Sequence, residues 1–220
     1  MAIFEHVSLP EAITRALRRR ILNNELPAGT RLVEANLAAE FGVSRGTIRD
    51  AMRSLRAEGL IAILPRRYSV VTRMSPEDAE DVCYARYVLE DASVGQGLEH
   101  SAAALTEALH ESLREMAAAA DGDLDALVES DIKFHERLIE VSGRRRLKDL
   151  WAMLNSQMGA LMRSEIERRG IGLAEVVGRH RLLVEAVGSG DVIKVREALR
   201  EHYLTGLPVR TAAAGPEQAT

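Results

Sequence analysis

Leu37-Ala38-Ala39-Glu40-Phe41-Gly42-Val43-Ser44-Arg45-Gly46-Thr47-Ile48-Arg49 is the stretch whose reading decides the fold. Ala38 is small where two helices must cross closely. Gly42, four residues on, accepts the left-handed backbone of a tight inter-helix turn. Val43 and Ile48 supply the apolar side of a second helix, and Ser44 is a good N-cap for it. Arg45 and Arg49 then lie four apart on one face. A helix that presents arginines at its start in this way can set them against base edges and phosphates of a major groove.

Working outward, the second helix runs on through Ala51, Met52 and Leu55 to a stop at Glu58-Gly59. Two β-like stretches follow, Leu60 to Leu64 and Tyr68 to Thr72, separated by Pro65-Arg66-Arg67. That is a hairpin with a basic tip, so residues Gly29 to Thr72 read as a winged helix-turn-helix. The candidate DNA contacts are Ser44, Arg45, Thr47 and Arg49 on the helix and Arg66 and Arg67 on the wing. Upstream, Ser8 with Glu11 three residues later gives a capping-box start to a first helix, which ends before Glu25-Leu26-Pro27-Ala28-Gly29.

Charge divides the chain of 220 residues. Residues 1–74 hold 12 arginines, no lysine and 7 carboxylates, a net of +5, whereas residues 75–220 hold 17 basic and 26 acidic residues, a net of −9. The total of −4 would argue against nucleic acid, but phosphate binding needs a local basic surface and not a basic total. The expected organisation is a DNA-binding domain at 1–74, a second domain at 75–210 and a disordered tail at 211–220. The single cysteine, Cys83, excludes an internal disulfide framework and suits a reducing compartment; its expected role is a small buried hydrophobe. No signal pattern or membrane-length apolar run is visible, so a cytoplasmic location without membrane contact is expected.

After the linker, Ser75 as N-cap and Pro76 at the first helical position open a run of helices. Six are predicted, at 76–98, 102–119, 123–141, 145–168, 172–188 and 191–207. The fold class is thus mainly α: the winged helix-turn-helix with its small β-wing, followed by an all-α antiparallel bundle.

The bundle carries polarity on apolar stripes. Asp131 and His135 interrupt Leu124, Leu127, Val128, Phe134 and Leu138. His180 lies among Val176, Val177, Leu183, Val184 and Val187, and His202 continues Val192, Val195 and Leu199. Burying these groups without partners costs several kcal/mol. If they meet, three imidazoles and one carboxylate suit a divalent metal, with Asp131 and His135 at i and i+4 on adjacent turns. The alternative is that each histidine is a satisfied core or interface residue, the reading given to His6, His100 and His110. Trp151, Leu154, Met158 and Met162 recur at helical spacing as core packing or as a deformable cavity wall. His135-Glu136 starts like a zinc-protease helix, but position 139 is Ile where a second histidine is required. No glycine-rich phosphate loop or serine nucleophile elbow is present, and the chain is not expected to be an enzyme.

Leu26-Pro27-Ala28-Gly29-Thr30-Arg31-Leu32, the run from Val43 to Ala51 and Leu55-Arg56-Ala57-Glu58-Gly59-Leu60 resemble the GntR-type bacterial repressors. Arg86 with Glu90, Asp131-x-x-Phe134-His135, Ser142-Gly143, His180 and His202 resemble their FadR-like effector domain, called FCD, in its shorter, VanR-like form. The resemblance covers about residues 8–207. It implies a homodimer on a palindromic double-stranded DNA operator, with Asp131, His135, His180 and His202 holding a divalent metal, often zinc or nickel. It further implies a small carboxylate effector on the metal, with Arg86 meeting its charge; an intrahelical pair with Glu90 is the other role open to Arg86. A metal sensor and a metal-dependent hydrolase or lyase fused to a DNA-binding module are the competing classes. Thr47 stands where the family commonly has Pro, Tyr68 where glycine is usual in the wing, and Arg144 where Asn is common. Gly46 offers no side chain, which leaves recognition to Arg45, Thr47 and Arg49.

Overall fold

Ser8 opens the first helix, α1 (Leu9–Leu22), and its backbone N–H donates to Glu11 Oε2 at 3.4 Å, as the capping-box pattern predicts. The computed structural model describes residues 8–65, 68–119 and 124–204. After α1 come β1 (Arg31–Leu32), α2 (Glu34–Phe41) and α3 (Arg45–Ala57). The turn between α2 and α3 works as its residues require. Gly42 sits at φ 66°, in the left-handed region, and Ser44 Oγ accepts from the Thr47 N–H at 3.1 Å.

The strands β2 (Ile61–Leu64) and β3 (Tyr68–Val71) form the expected hairpin, and β1 adds to it in the antiparallel order β1-β3-β2. The third strand has no signature of its own in the sequence, being two residues long. Its register is fixed by the exposed–buried alternation of Arg31 and Leu32 opposite Val70 and Ser69. The wing tip residues Arg66 and Arg67 lie outside the described residues. Leu17, Ile48, Ala51 and Leu55 are wholly buried between α1, α3 and the sheet. Each large side chain among them contributes roughly 1.5–3 kcal/mol to holding the winged helix together.

The second half contains α4 (Pro76–Ala119), α5 (Leu124–Glu140), α6 (Arg145–Ala152), α7 (Asn155–Arg169), α8 (Leu173–Gly188) and α9 (Val192–Leu204). The predicted number of bundle helices holds among the described residues, but two of their divisions do not. The expected helices at 76–98 and 102–119 are one helix of 44 residues, about 66 Å long at 1.5 Å per residue. Nothing between Leu98 and Ala102 breaks it: Glu99, His100 and Ser101 all tolerate helical backbone. The expected helix at 145–168 is instead two, α6 and α7, joined by a turn at Met153 and Leu154 in which the Leu154 N–H donates to Trp151 O. The break lets Trp151 point inward at the end of one helix and Asn155 begin the next.

α4 is the spine against which α5, α8 and α9 pack. Gly97 is the point of closest approach to the end of α5, where a Cβ would overlap the Val141 carbonyl. No described helix is long and apolar enough to cross a membrane. The expected tail at 211–220 and the break at Asp121-Gly122-Asp123 lie outside the described residues.

Candidate DNA interface and metal site

On α3 the residues expected to meet DNA lie toward solvent. Ser44, Arg45, Gly46 and Arg49 are exposed and Thr47 is half-buried, while Ile48, Ala51, Met52 and Leu55 face the core. Thr47 Oγ1 lies 2.9 Å from Ser44 Oγ, so the two hydroxyls share a hydrogen bond at the start of the helix. Arg49 is held: its Nη2 and Nε donate to the two carboxylate oxygens of Glu34, on α2, at 2.7 and 3.1 Å. Glu34 did not stand out in the sequence, because its partner lies 15 residues away on another helix.

In the bundle the four predicted ligand residues come together. Asp131 and His135 project from α5, His180 from α8 and His202 from α9, and ring nitrogens of the three histidines lie within 4.8 Å of one another. His135 Nε2 is 3.2 Å from His180 Nε2, which is 2.9 Å from Asp131 Oδ1.

The second nitrogen of each ring explains the arrangement. His180 Nδ1 lies 2.8 Å from the Val176 carbonyl, which can only accept, so that nitrogen carries the proton. His135 Nδ1 lies 2.9 Å from Glu90 Oε2, and a proton there donates to the carboxylate. Two neutral imidazoles in these tautomers turn bare Nε2 lone pairs toward each other and toward an ionised carboxylate. Three acceptors at this separation repel unless a cation or added protons lie among them. His202 Nδ1 is buried with no partner among the described residues, and burial pushes the imidazole well below its ordinary pKa. Where an added proton on His180 Nε2 bridges to Asp131 Oδ1, burial would raise the Asp131 carboxyl, but that hydrogen bond, the neighbouring imidazoles and Arg86 outweigh it and hold it at about 2. Imidazole nitrogens and a carboxylate are donor types that divalent metals accept, and the partners on the outer ring nitrogens fix the ring orientations.

Glu90 anchors those outer partners. Fully buried, it accepts from His135, from Trp151 Nε1 at 2.7 Å and from Tyr203 Oη at 2.7 Å. Burial would raise its carboxyl, yet His135, Arg86 and the Trp151 hydrogen bond keep it below the usual range. Arg86, also fully buried, lies 3.6 Å from Glu90, so the intrahelical pair at i and i+4 is present. Its guanidinium stacks 4.0 Å over the Trp151 ring, and Nη1 donates to Asn155 Oδ1. Its Nη2 is buried without a partner among the described residues.

A small cavity of about 40 Å³ opens beside the histidines. Met158 and Met162 line it, together with Asp131, His135, His202 and Arg179. Met158 and Met162 thus serve both readings, core packing and cavity wall. Arg179 was not foreseen: it sits beside His180 in the sequence but shows no periodicity of its own. Half-buried, its Nη2 donates to the His202 carbonyl at 3.3 Å, and burial lowers its pKa. Tyr203 and Asn155 were likewise missed, since each meets Glu90 or Arg86 only through the tertiary fold. Arg144 lies on the surface, donating to Gln96 at 2.8 Å, away from this cavity.

Two family models account for these two halves. The model of the bacterial regulatory proteins of the gntR family matches residues 9–71, and that of the FCD domain matches residues 81–205. The chain belongs to the GntR family of transcriptional regulators, with an FCD domain. It is 33% identical over 195 residues to an HTH-type transcriptional regulator of an unstable DNA locus in Streptomyces ambofaciens, covering 84% of this chain and 78% of the relative. It is 25% identical over 192 residues to the gluconate operon transcriptional repressor of Bacillus subtilis, covering 85% of this chain and 79% of that one. Among solved structures, E. coli McbR/YncC shares the fold with a TM-score of 0.73 at 23% identity, over 92% of this chain and 97% of that chain. GntR-FCD membership makes this chain a transcriptional regulator and not an enzyme.

Proposed function

We propose that this GntR regulator is a homodimeric repressor whose hold on a palindromic operator is set by a small carboxylate bound at a divalent metal in the bundle. In this reading residues 1–74 contact DNA and residues 75–210 sense the ligand and dimerise. Asp131, His135, His180 and His202 hold the metal, with zinc or nickel the fitting ions for three imidazoles and one carboxylate. The bound metal supplies a positive centre for a carboxylate oxygen. Arg86, with its unpartnered Nη2, and Arg179, on the cavity wall, meet the remaining charge. The observation that carries the reading is the convergence of His135 Nε2, His180 Nε2 and Asp131 Oδ1, with the two ring protons committed to Glu90 and to the Val176 carbonyl. Repression is supported by the gluconate operon relative, and dimerisation by Tyr84 and Val88, exposed apolar neighbours at i and i+4 on α4.

The test is calorimetric titration of zinc and of nickel into protein stripped with a chelator. One ion per chain is expected, with binding abolished in His135→Ala and His180→Ala; absence of binding to the native chain would end the metal reading. Metal-loaded protein is then titrated with acetate, lactate and malonate, and a duplex selected by the protein from a random pool reports the effect on DNA affinity. A carboxylate that binds natively but at least tenfold more weakly to Arg86→Gln or Arg179→Gln supports the effector assignment. Operator affinity that follows the metal alone, with no carboxylate effect, would instead make the chain a metal sensor.

A further inference from the structure

The first turn of α7 touches the ligand site on one side and the DNA-binding half on the other. Asn155 Oδ1 accepts from Arg86 Nη1 beside the histidine cluster. The next two side chains reach the other way. Ser156 Oγ donates to Glu58 Oε2 at 2.7 Å, and Gln157 Nε2 donates to the Glu58 carbonyl at 3.1 Å.

Glu58 is the C-cap residue of α3, the helix that carries Arg45 and Arg49. Its carboxylate also receives Arg18 of α1, with Nη2 to Oε1 at 2.6 Å and Nε to Oε2 at 2.8 Å. One carboxylate therefore ties together α1, the end of α3 and the start of α7. Gly59, at φ +75°, completes the joint, because a Cβ there would overlap the Gln157 side chain. The turn that precedes Asn155 is equally committed to the ligand site, since Trp151 donates to Glu90 and lies under Arg86.

We propose that residues Asn155, Ser156 and Gln157 couple the ligand site to the recognition helix, with Asn155 reading the state of Arg86 and Ser156 and Gln157 passing the shift to Glu58. The proposal rests on the reading of the Arg86 neighbourhood as the effector site. An anion drawn to Arg86 competes with Asn155 for its guanidinium. Asn155 is the first residue of a helix that follows a two-residue turn, so a change in its hydrogen bond moves the backbone that carries Ser156 and Gln157. The outcome is a change in how the end of α3 is held against α1. Such coupling needs two arrangements of the joint with different ligand affinity.

The test is a double-mutant cycle on affinity for the selected duplex, using full-length Asn155→Ala, Glu58→Gln and the combination. Side chains with no shared partner give additive effects, and coupled ones do not. Asn155→Ala is expected to change duplex affinity about fivefold or more in the native background and less than twofold beside Glu58→Gln. Equal effects in both backgrounds would overturn the proposal. Should Glu58→Gln fail to fold, hydrogen exchange in Asn155→Ala decides: the amides of residues 58–60 are expected to exchange at least fivefold faster, and unchanged exchange rejects the relay. Zinc titration of the same proteins reports on the histidine site separately. Loss of zinc binding from the native chain refutes the metal reading, while an additive cycle with zinc binding intact refutes the relay alone.

Discussion

Glu34 grips Arg49 with both carboxylate oxygens, at 2.7 and 3.1 Å, so a leading DNA-contact candidate is already oriented by the helix behind it. The pair is exposed, and exposed ion pairs contribute little to stability. Its value is positional, since a guanidinium fork fixed in direction loses less freedom when it meets a base edge. Arg49→Ala is therefore expected to weaken binding to the selected duplex by about tenfold or more and to flatten the salt dependence of binding. Glu34→Gln is expected to strengthen binding to scrambled duplex while reducing discrimination, because it removes a negative charge and frees the fork. Gel shifts with selected and scrambled duplexes at two salt concentrations measure both, and unchanged discrimination in Glu34→Gln would reduce that residue to a surface partner.

Metal binding should appear as stability, because the converging acceptors repel one another without a cation. At a free ion concentration one hundred times its Kd, zinc is expected to stabilise the fold by about 2.7 kcal/mol, raising Tm by roughly 5–10 °C. His180→Ala removes one acceptor and should lose the zinc-dependent rise while the metal-free protein melts close to the native one. A scan with and without zinc, followed by circular dichroism, reads both. A zinc-independent Tm in the native chain would contradict the assignment.

Glu58 sets an acid limit on the joint between the two halves. Burial raises its carboxyl, but the hydrogen bonds from Arg18 and Ser156 prevail and hold it below the ordinary 4.5. A depressed folded value means that the ionised form favours folding. The contribution is complete above pH 4.5, declines as pH falls toward the folded value, and vanishes below it. Glu58→Gln is thus expected to melt several degrees below the native chain at pH 7, with the gap closing as pH drops below 4.5. A gap constant from pH 7 to pH 3 would mean that the charge of Glu58 does not hold the joint.

The recognition helix was legible because its requirements are local: a cap, a left-handed turn and an arginine pair within one short segment. The convergence of Asp131, His135, His180 and His202 was legible for a related reason, since each breaks an apolar stripe on its own helix. What lay hidden depends on contacts distant in sequence. Glu34 and Arg49 meet across a turn, Tyr203 reaches Glu90 from 113 residues away, and Ser156 reaches Glu58 from 98. The helix divisions failed for the converse reason. Propensity alone allows α4 to continue through Ser101 and allows α6 to run into α7, and it is the inward placement of Trp151 and Asn155 that requires the second break.

Gly97 offers a test of how tightly α5, which carries Asp131 and His135, is held to the spine. A methyl group there would overlap the Val141 carbonyl, a backbone atom that cannot rotate aside, so α5 must shift away from α4. Gly97→Ala is expected to cost about 1–3 kcal/mol, seen as a Tm lower by roughly 3–10 °C. Asp131 and His135 ride on α5 and should move with it, so zinc affinity falls in the same variant. Gly95, two residues earlier on α4, is the matched control. It is exposed with nothing within 4 Å of its would-be Cβ, so Gly95→Ala should stabilise the helix by about 0.5–1 kcal/mol and leave zinc affinity unchanged. If Gly97→Ala melts with Gly95→Ala, the close approach of α4 and α5 does not constrain the site; if it loses stability but keeps native zinc affinity, the strain is absorbed at Val141 before it reaches His135.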